Sequence, residues 1–268
     1  MLIATDLDGT LLRNDKTISP YTADVLSRVD AAGTPIVLVT GRPIRWLSHV
    51  YGQLHTPLPA VCANGAVVYD PVADRVLRTD PLEPSVLAEV AKRLRDEVPD
   101  VQLAVEIADG REMRHDPAYP VEAGFEQAMV RAVEAPEDLV SVPAVKLLVR
   151  AGKRDPDAFA SLVGGAVAGL AEATHSSYTG LVEVSAAGVT KAAGLAWFCH
   201  RAGIDPSTVV AFGDMPNDVP MLTWAGRSLA VGNAHPAVRE IADEVIGSNE
   251  SDGVAHYLDA LQRRRNSA

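Results

Sequence analysis

Short apolar runs without polar alternation, each breaking into a polar or glycine-bearing turn, constrain this chain more than any other feature. Leu2 to Ala4, Pro35 to Val39, Ala60 to Ala63, Thr208 to Phe212 and Leu229 to Val231 all have this form. A strand that is apolar at every position is buried on both faces, which implies a parallel sheet covered by helices on either side. Helix signals fall between the runs. Ser19-Pro20 supplies a capping hydroxyl and a proline at the first helical position, Val25, Leu26 and Val29 repeat at helical spacing, and Gly33 stops the element. A helix carrying Trp46 and Leu47, one from Thr190 to His200 ending near Gly203, one beginning at Asn217 and one from Val254 to Leu261 continue the alternation, with a last strand at Val245-Ile246. This order predicts an α/β fold with a doubly wound, Rossmann-like parallel sheet.

From about Pro81 the texture changes. Ser85 to Val98 reads as an amphipathic helix, Val101 to Ile107 and Val145 to Val149 as strands, and Phe159 to Glu172 as a small-residue helix whose Gly165 and Gly169 allow close packing. The expectation is an inserted α+β domain over residues 82–182, between two parts of the α/β core at 1–81 and 183–268. At 268 residues and 47% hydrophobic content the chain has material for both cores.

A formal charge of −11 argues against a nucleic-acid surface, because phosphate contacts need a basic face. Two cysteines, Cys62 and Cys199, imply no disulfide framework and favour a reducing compartment. The longest apolar stretch, Leu162 to Ala171, is too short to cross a bilayer, and no signal-peptide pattern precedes residue 6. A cytoplasmic protein with neither membrane nor nucleic-acid partners is expected.

In open α/β sheets ligands bind at the carboxyl ends of the strands, where Asp6, Thr40, Asn64 and Asp214 fall. Alone, Asp6-Leu7-Asp8-Gly9 is also an ordinary polar turn. An EF-hand is excluded, since Thr10, Leu11 and Thr17 stand where that loop needs an oxygen ligand, a glycine and a glutamate. Asp6, Asp8 and Asp214, with Asp218 nearby, form an acidic cluster that repels itself unless a cation sits there. Hard oxygen ligands, few in number, favour Mg2+. One carboxylate can then attack phosphorus and split hydrolysis into two easier steps. Thr40-Gly41 offers a hydroxyl and an unhindered amide to a phosphate, and Lys191 a neutralising charge. Taken singly, Lys191 reads as a surface residue and Asn64-Gly65 as a turn dipeptide. No P-loop, G-x-S-x-G elbow or H-E-x-x-H is present.

DLDGTLL at 6–12, TGR at 40–42, NG at 64–65, GVTK at 188–191 and GDMPNDVPML at 213–222 together resemble the ordered motifs of the haloacid dehalogenase superfamily. Within it the chain is similar to the Cof-type (class IIB cap) phosphatases, whose α+β cap lies between the second and third motifs; GNA at 232–234 and SDGV at 251–254 also fit. The resemblance implies Asp6 as nucleophile and metal ligand, and Asp8 as general acid and base whose backbone carbonyl contacts the metal. It implies Asp214 as metal ligand, Asp218 behind it, and Thr40, Gly41, Lys191 and Asn217 around the phosphoryl group, with Asn64 near the substrate entrance. The resemblance implies Mg2+-dependent hydrolysis of a small phosphorylated metabolite, above all a sugar phosphate, with flavin mononucleotide and pyridoxal phosphate also in range. A sugar-phosphate mutase and a non-catalytic sugar-phosphate-binding protein are the alternatives. Asp8 favours phosphoryl transfer over dehalogenation, which lacks an acid two residues after the nucleophile. Ala192, Pro216 and Pro220 depart from the branch pattern without touching the acids. In the insert, Glu106, Arg111, Arg114 and His115 are the polar groups to follow, since a cap must supply leaving-group contacts, although residues of these types read first as surface loop positions.

Overall fold

The apolar runs assemble into one sheet. The computed structural model describes residues 1–107, 109–121, 129–175 and 180–266. Among them, eight strands lie in the order Glu244–Val245, Arg227–Ala230, Val209–Gly213, Leu2–Thr5, Ile36–Val39, Ala60–Cys62, Val67–Asp70 and Arg75–Thr79. Neighbours are parallel as far as Ala60–Cys62, and the last two strands return antiparallel. The first strand of the chain is thus central, flanked by Ile36–Val39 on one side and Val209–Gly213 on the other. That reversal of strand order makes the carboxyl end of Leu2–Thr5 the switch point of the topology.

The helices follow their local signals. Ser19 accepts a hydrogen bond from the Thr22 N–H at 3.0 Å to begin Pro20–Ala31, which buries Val25, Leu26 and Val29 against the sheet. Gly203 closes Lys191–Ala202 in the left-handed conformation. Pro216 and Pro220 both fall in first turns, where a missing N–H costs nothing. No described helix is long and apolar enough to cross a membrane.

A second sheet of six strands forms from Ala171–Thr174, Val182–Ala186, Ala144–Arg150, Gln102–Ile107, Met113–His115 and Val130–Ala132, in that order. Its strands alternate. Leu103, Val105, Leu147, Val149, Val182 and Val184 share a core with helices Pro84–Glu97 and Pro156–Val167. The intervening positions, which include Ala104, Glu106, Lys146, Leu148 and Glu183, take the opposite face.

Two expectations need correction. The helix expected to reach Glu172 ends at Val167, Gly169 turns the chain at φ 79°, and Ala171–Thr174 pairs antiparallel with Val182–Ala186. Alanine and glutamate favour a helix locally, but the open edge of the sheet decides otherwise. Gly165 and Gly169 have open space where a side chain would sit, so neither serves close packing. The second sheet also continues to Ala186, past the expected boundary at 182, because Val182 and Val184 belong to its core.

Both cysteines are free and buried, and burial pushes the Cys62 thiol up to about 12 and the Cys199 thiol to about 11. The native protein is therefore expected to resist a thiol reagent near neutral pH and to react at both positions once unfolded. Prompt labelling of the native protein would contradict this.

Candidate active site

Asp6 follows the central strand, its N–H bonded to the Phe212 carbonyl at 3.0 Å, and Asp214 follows the adjacent parallel strand. Parallel neighbours in register deliver both acids to the same edge. Lys191 opens helix Lys191–Ala202, whose Thr190 cap accepts from the Ala193 N–H at 3.1 Å. A cation there faces the positive end of the helix dipole. It is held because Nζ lies 2.6 Å from Asp6 Oδ1 and 2.6 Å from Asp218 Oδ1. Burial pulls the ammonium down, but the two carboxylates outweigh it and keep Lys191 above the ordinary lysine range.

Asp218 is fully buried, and its Oδ2 accepts from the backbone N–H groups of Asp214 and Met215, both at 3.0 Å. It fixes the turn that carries Asp214. Asp214 Oδ1 accepts from the Thr10 hydroxyl at 2.8 Å, and its Oδ2 lies 2.3 Å from where a Cβ on Gly9 would sit. With φ at +83° as well, only glycine fits at position 9.

One oxygen from each of Asp6, Asp214 and Asp218 lies within 4.8 Å of the others. Burial raises the carboxyl pKa values of Asp6 and Asp214, and the neighbouring acids add to it, against Lys191 at Asp6 and the Thr10 hydroxyl at Asp214. Such a set of crowded carboxylates, offering oxygen alone, fits a hard divalent cation.

The Asp8 carboxylate stands apart from this group. Arg42 forks it at 2.6 and 2.8 Å, and Lys16 reaches it at 2.9 Å. Burial pushes this carboxyl up, but the two cations prevail and hold it at about 2. Arg42 is the arginine of the T-G-R turn, a signal present in the sequence and left without a role there.

A cavity of about 430 Å³ opens above these groups, lined by Asp6, Asp8, Gly41, Asp214 and Asn217. Thr40, Asn64, Lys191 and Asp218 are buried behind that lining. The Thr40 hydroxyl accepts from the Arg42 N–H at 3.1 Å. Asn64, expected near the substrate entrance, instead lies under the floor at 3% exposure with φ 56°, a turn former as well as a ligand to other side chains. Its Nδ2 donates to Glu183 Oε2 at 3.1 Å and its Oδ1 accepts from Asn217 Nδ2 at 3.1 Å. The upper wall is largely apolar and includes Trp46, Met113, Tyr119, Val130, Leu148 and Leu181.

Of the polar groups singled out in the insert, Glu106 reaches the cavity, paired with Arg45 across the gap between the sheets. Arg111 instead bonds Asp74 at 2.7 Å, Arg114 bonds Glu112 at 3.2 Å, and His115 bonds the Asp116 carbonyl at 2.8 Å. Arg45, Lys16 and Glu183 line the cavity and were not anticipated. Glu183 had only a local signal, a charge between the apolar Val182 and Val184, which does not say whether it faces the cavity or water.

A switch-point cluster of aspartates around one buried lysine, closed over by a second sheet, has the donor set that suits a divalent cation and an anionic phosphate ester. A family model for haloacid dehalogenase-like hydrolases matches residues 3–258, and the chain belongs to that family, in its Cof-type branch. The chain is 33% identical over 264 residues to the 5-amino-6-(5-phospho-D-ribitylamino)uracil phosphatase YitU of Bacillus subtilis, covering 96% of each. It is 28% identical over 270 residues to the pyridoxal phosphate phosphatase YbhA of Escherichia coli, covering 96% of this chain and 97% of the relative. A solved Streptococcus mutans structure shares the fold with a TM-score of 0.86 over 98% of each chain, at 20% identity. The protein is a phosphomonoester hydrolase.

Proposed function

We propose that the protein is a cytoplasmic, Mg2+-dependent phosphatase that hydrolyses small phosphomonoesters through an aspartyl-phosphate on Asp6. The observation that carries this reading is Lys191 Nζ, 2.6 Å from both Asp6 and Asp218, beside Asp214 at the base of the cavity. Asp6, Asp214 and the Asp8 backbone would hold Mg2+, which supplies positive charge against the phosphate dianion. An Asp6 oxygen attacks phosphorus as the bond to the leaving oxygen breaks, and that oxygen takes a proton from Asp8. Water then attacks the phosphorus, passes its proton to Asp8, and the bond to Asp6 breaks to release phosphate. With Arg42 and Lys16 in place Asp8 is held ionised, as the second half requires. For the first half, Asp8 carries the proton it took from water in the preceding turnover, and its carboxyl turns from the Arg42 fork to the leaving oxygen. Thr40, Gly41 and Asn217 receive the phosphoryl oxygens, and Lys191 keeps Asp6 and Asp218 neutralised.

The apolar wall bears on the leaving group. A bare sugar presents hydroxyls that Met113, Leu148 and Leu181 cannot satisfy, whereas a planar ring buries well against them and against Trp46. The named substrates of the two relatives, a ribitylaminouracil phosphate and pyridoxal phosphate, carry such rings. We therefore place phosphorylated heterocycles ahead of sugar phosphates. Phosphate release from a panel of both classes, ranked by kcat/KM, tests this; a ranking led by sugars overturns it. Excess chelator is expected to stop turnover and added Mg2+ to restore it, and turnover that persists in chelator would refute the metal assignment.

A further inference from the structure

Two charged side chains that the proposed reaction does not use reach the site from the second sheet. Lys146, on Ala144–Arg150, is 2% exposed, and its Nζ donates both to Glu183 Oε1 and to the Gly41 carbonyl on the other sheet. Glu183, on Val182–Ala186, is 4% exposed and accepts from Asn64 Nδ2 with its other oxygen at 3.1 Å. A buried ion pair is a weak source of stability, since apolar residues of similar volume do as well or better. What it touches is therefore more informative than its presence.

We propose that Lys146 and Glu183 are positioning residues for phosphoryl transfer. This rests on the reading of Thr40, Gly41 and Asn217 as the phosphoryl cradle. By holding the Gly41 carbonyl, Lys146 fixes the Gly41–Arg42 peptide, whose N–H donates to Thr40 Oγ1 at 3.1 Å. The Thr40 oxygen is thereby an acceptor on that side, which leaves its proton to donate to a phosphoryl oxygen. Glu183 presents the oxygen not taken by Lys146 as an acceptor, and Asn64 turns its nitrogen to it and its Oδ1 to Asn217 Nδ2 at 3.1 Å. Asn217 is held at the cavity with one amide proton committed and one remaining. Gly41 packs directly on this network: an added Cβ would lie 3.1 Å from Asn64 Oδ1 and 3.5 Å from Glu183 Oε2. The second sheet thus sets the cradle as well as covering it.

The test is the double variant Lys146→Met/Glu183→Gln, which removes both charges together, assayed with divalent ion present on p-nitrophenyl phosphate and acetyl phosphate. The expected result is a fall in kcat of roughly 10- to 100-fold, equal on the two esters, with KM little changed. Orthovanadate, which mimics the five-coordinate phosphorus, is expected to inhibit at least ~10-fold less tightly. Lys146→Arg, which keeps the cation, is expected to recover much of kcat. Wild-type kcat and vanadate inhibition with only a lowered melting temperature would make the pair a structural clasp and overturn the proposal. Loss on one ester alone would make it a leaving-group contact and overturn it equally. If the double variant does not fold, Glu183→Gln alone carries the test, and wild-type kcat there overturns the proposal. Thr40→Val separates the two levels. If it leaves vanadate inhibition unchanged, the cradle reading itself fails; if it weakens vanadate while the double variant does not, only the present inference fails.

Discussion

Asp6→Asn is expected to abolish phosphate release while leaving the protein folded, with residual activity below about a hundredth of wild type, beyond the lower range for loss of a proton-transfer group. The argument is one of shape against charge. The Asp6 backbone N–H stays bonded to Phe212, and an amide oxygen can still accept from Lys191, which keeps its second bond to Asp218. Nothing in the packing of a residue 4% exposed has to move. What disappears is the anionic oxygen proposed to attack phosphorus, and no neighbouring acid can replace it. Asp218 is committed to Lys191 and to two backbone N–H groups, and Asp8 to Arg42 and Lys16. Phosphate release with a saturating ester, alongside a thermal melt, checks both halves. A folded variant that retains more than about a hundredth of activity removes Asp6 as the nucleophile.

That Asp6 and Asp214 could be placed at strand ends before the structure follows from how parallel sheets announce themselves. Leu2–Thr5, Ile36–Val39 and Val209–Gly213 are buried on both faces, so their sequences are continuous apolar runs and their ends are marked by the first polar residue. Asp6 and Asp214 are the first charged residues after two of those runs, Asp6 directly behind the polar Thr5. Their adjacency required the strand order, which no local pattern records, and the ordered motifs supplied it. Ala171–Thr174 was missed for the opposite reason. Its four residues, A-E-A-T, favour a helix, and only pairing with Val182–Ala186 makes them a strand.

The side chains that surround the acids were harder to read, because their roles are set by partners distant in sequence. Asp8 could be placed by its motif, but its state is decided by Arg42, 34 residues away, and by Lys16. Lys146 and Glu183 lie 37 residues apart on neighbouring strands. Each looks locally like a lone charge in an apolar strand, which the sequence alone cannot distinguish from an edge position facing water. The same limit applies to Arg111, Arg114 and His115, singled out as polar groups of the insert and bonded instead to Asp74, Glu112 and the Asp116 carbonyl.

Lys191→Met tests the electrostatic premise more severely than any loss of an acid. The side chain is 1% exposed and shaped much like methionine, so the substitution removes the charge and its two hydrogen bonds with little change in volume. Asp6 and Asp218 are then left buried without their counter-ion, a deletion that costs about 3–5 kcal/mol where one partner of a buried pair is removed. Against the ~5–15 kcal/mol that hold a domain folded, that is a large share. In chelator, the variant should therefore melt well below wild type. Added Mg2+ should raise the variant's melting temperature more than it raises the wild type's, because the ion then supplies positive charge that the lysine no longer does. Activity should still fall by roughly 10²- to 10³-fold with the metal present, the ordinary effect of losing one preorganised partner to developing charge. A variant that melts like wild type in chelator would mean that Asp6 and Asp218 do not carry the charge assigned to them. The cluster would then have no need of a cation, and the case for a metal-assisted carboxylate nucleophile would fall with it.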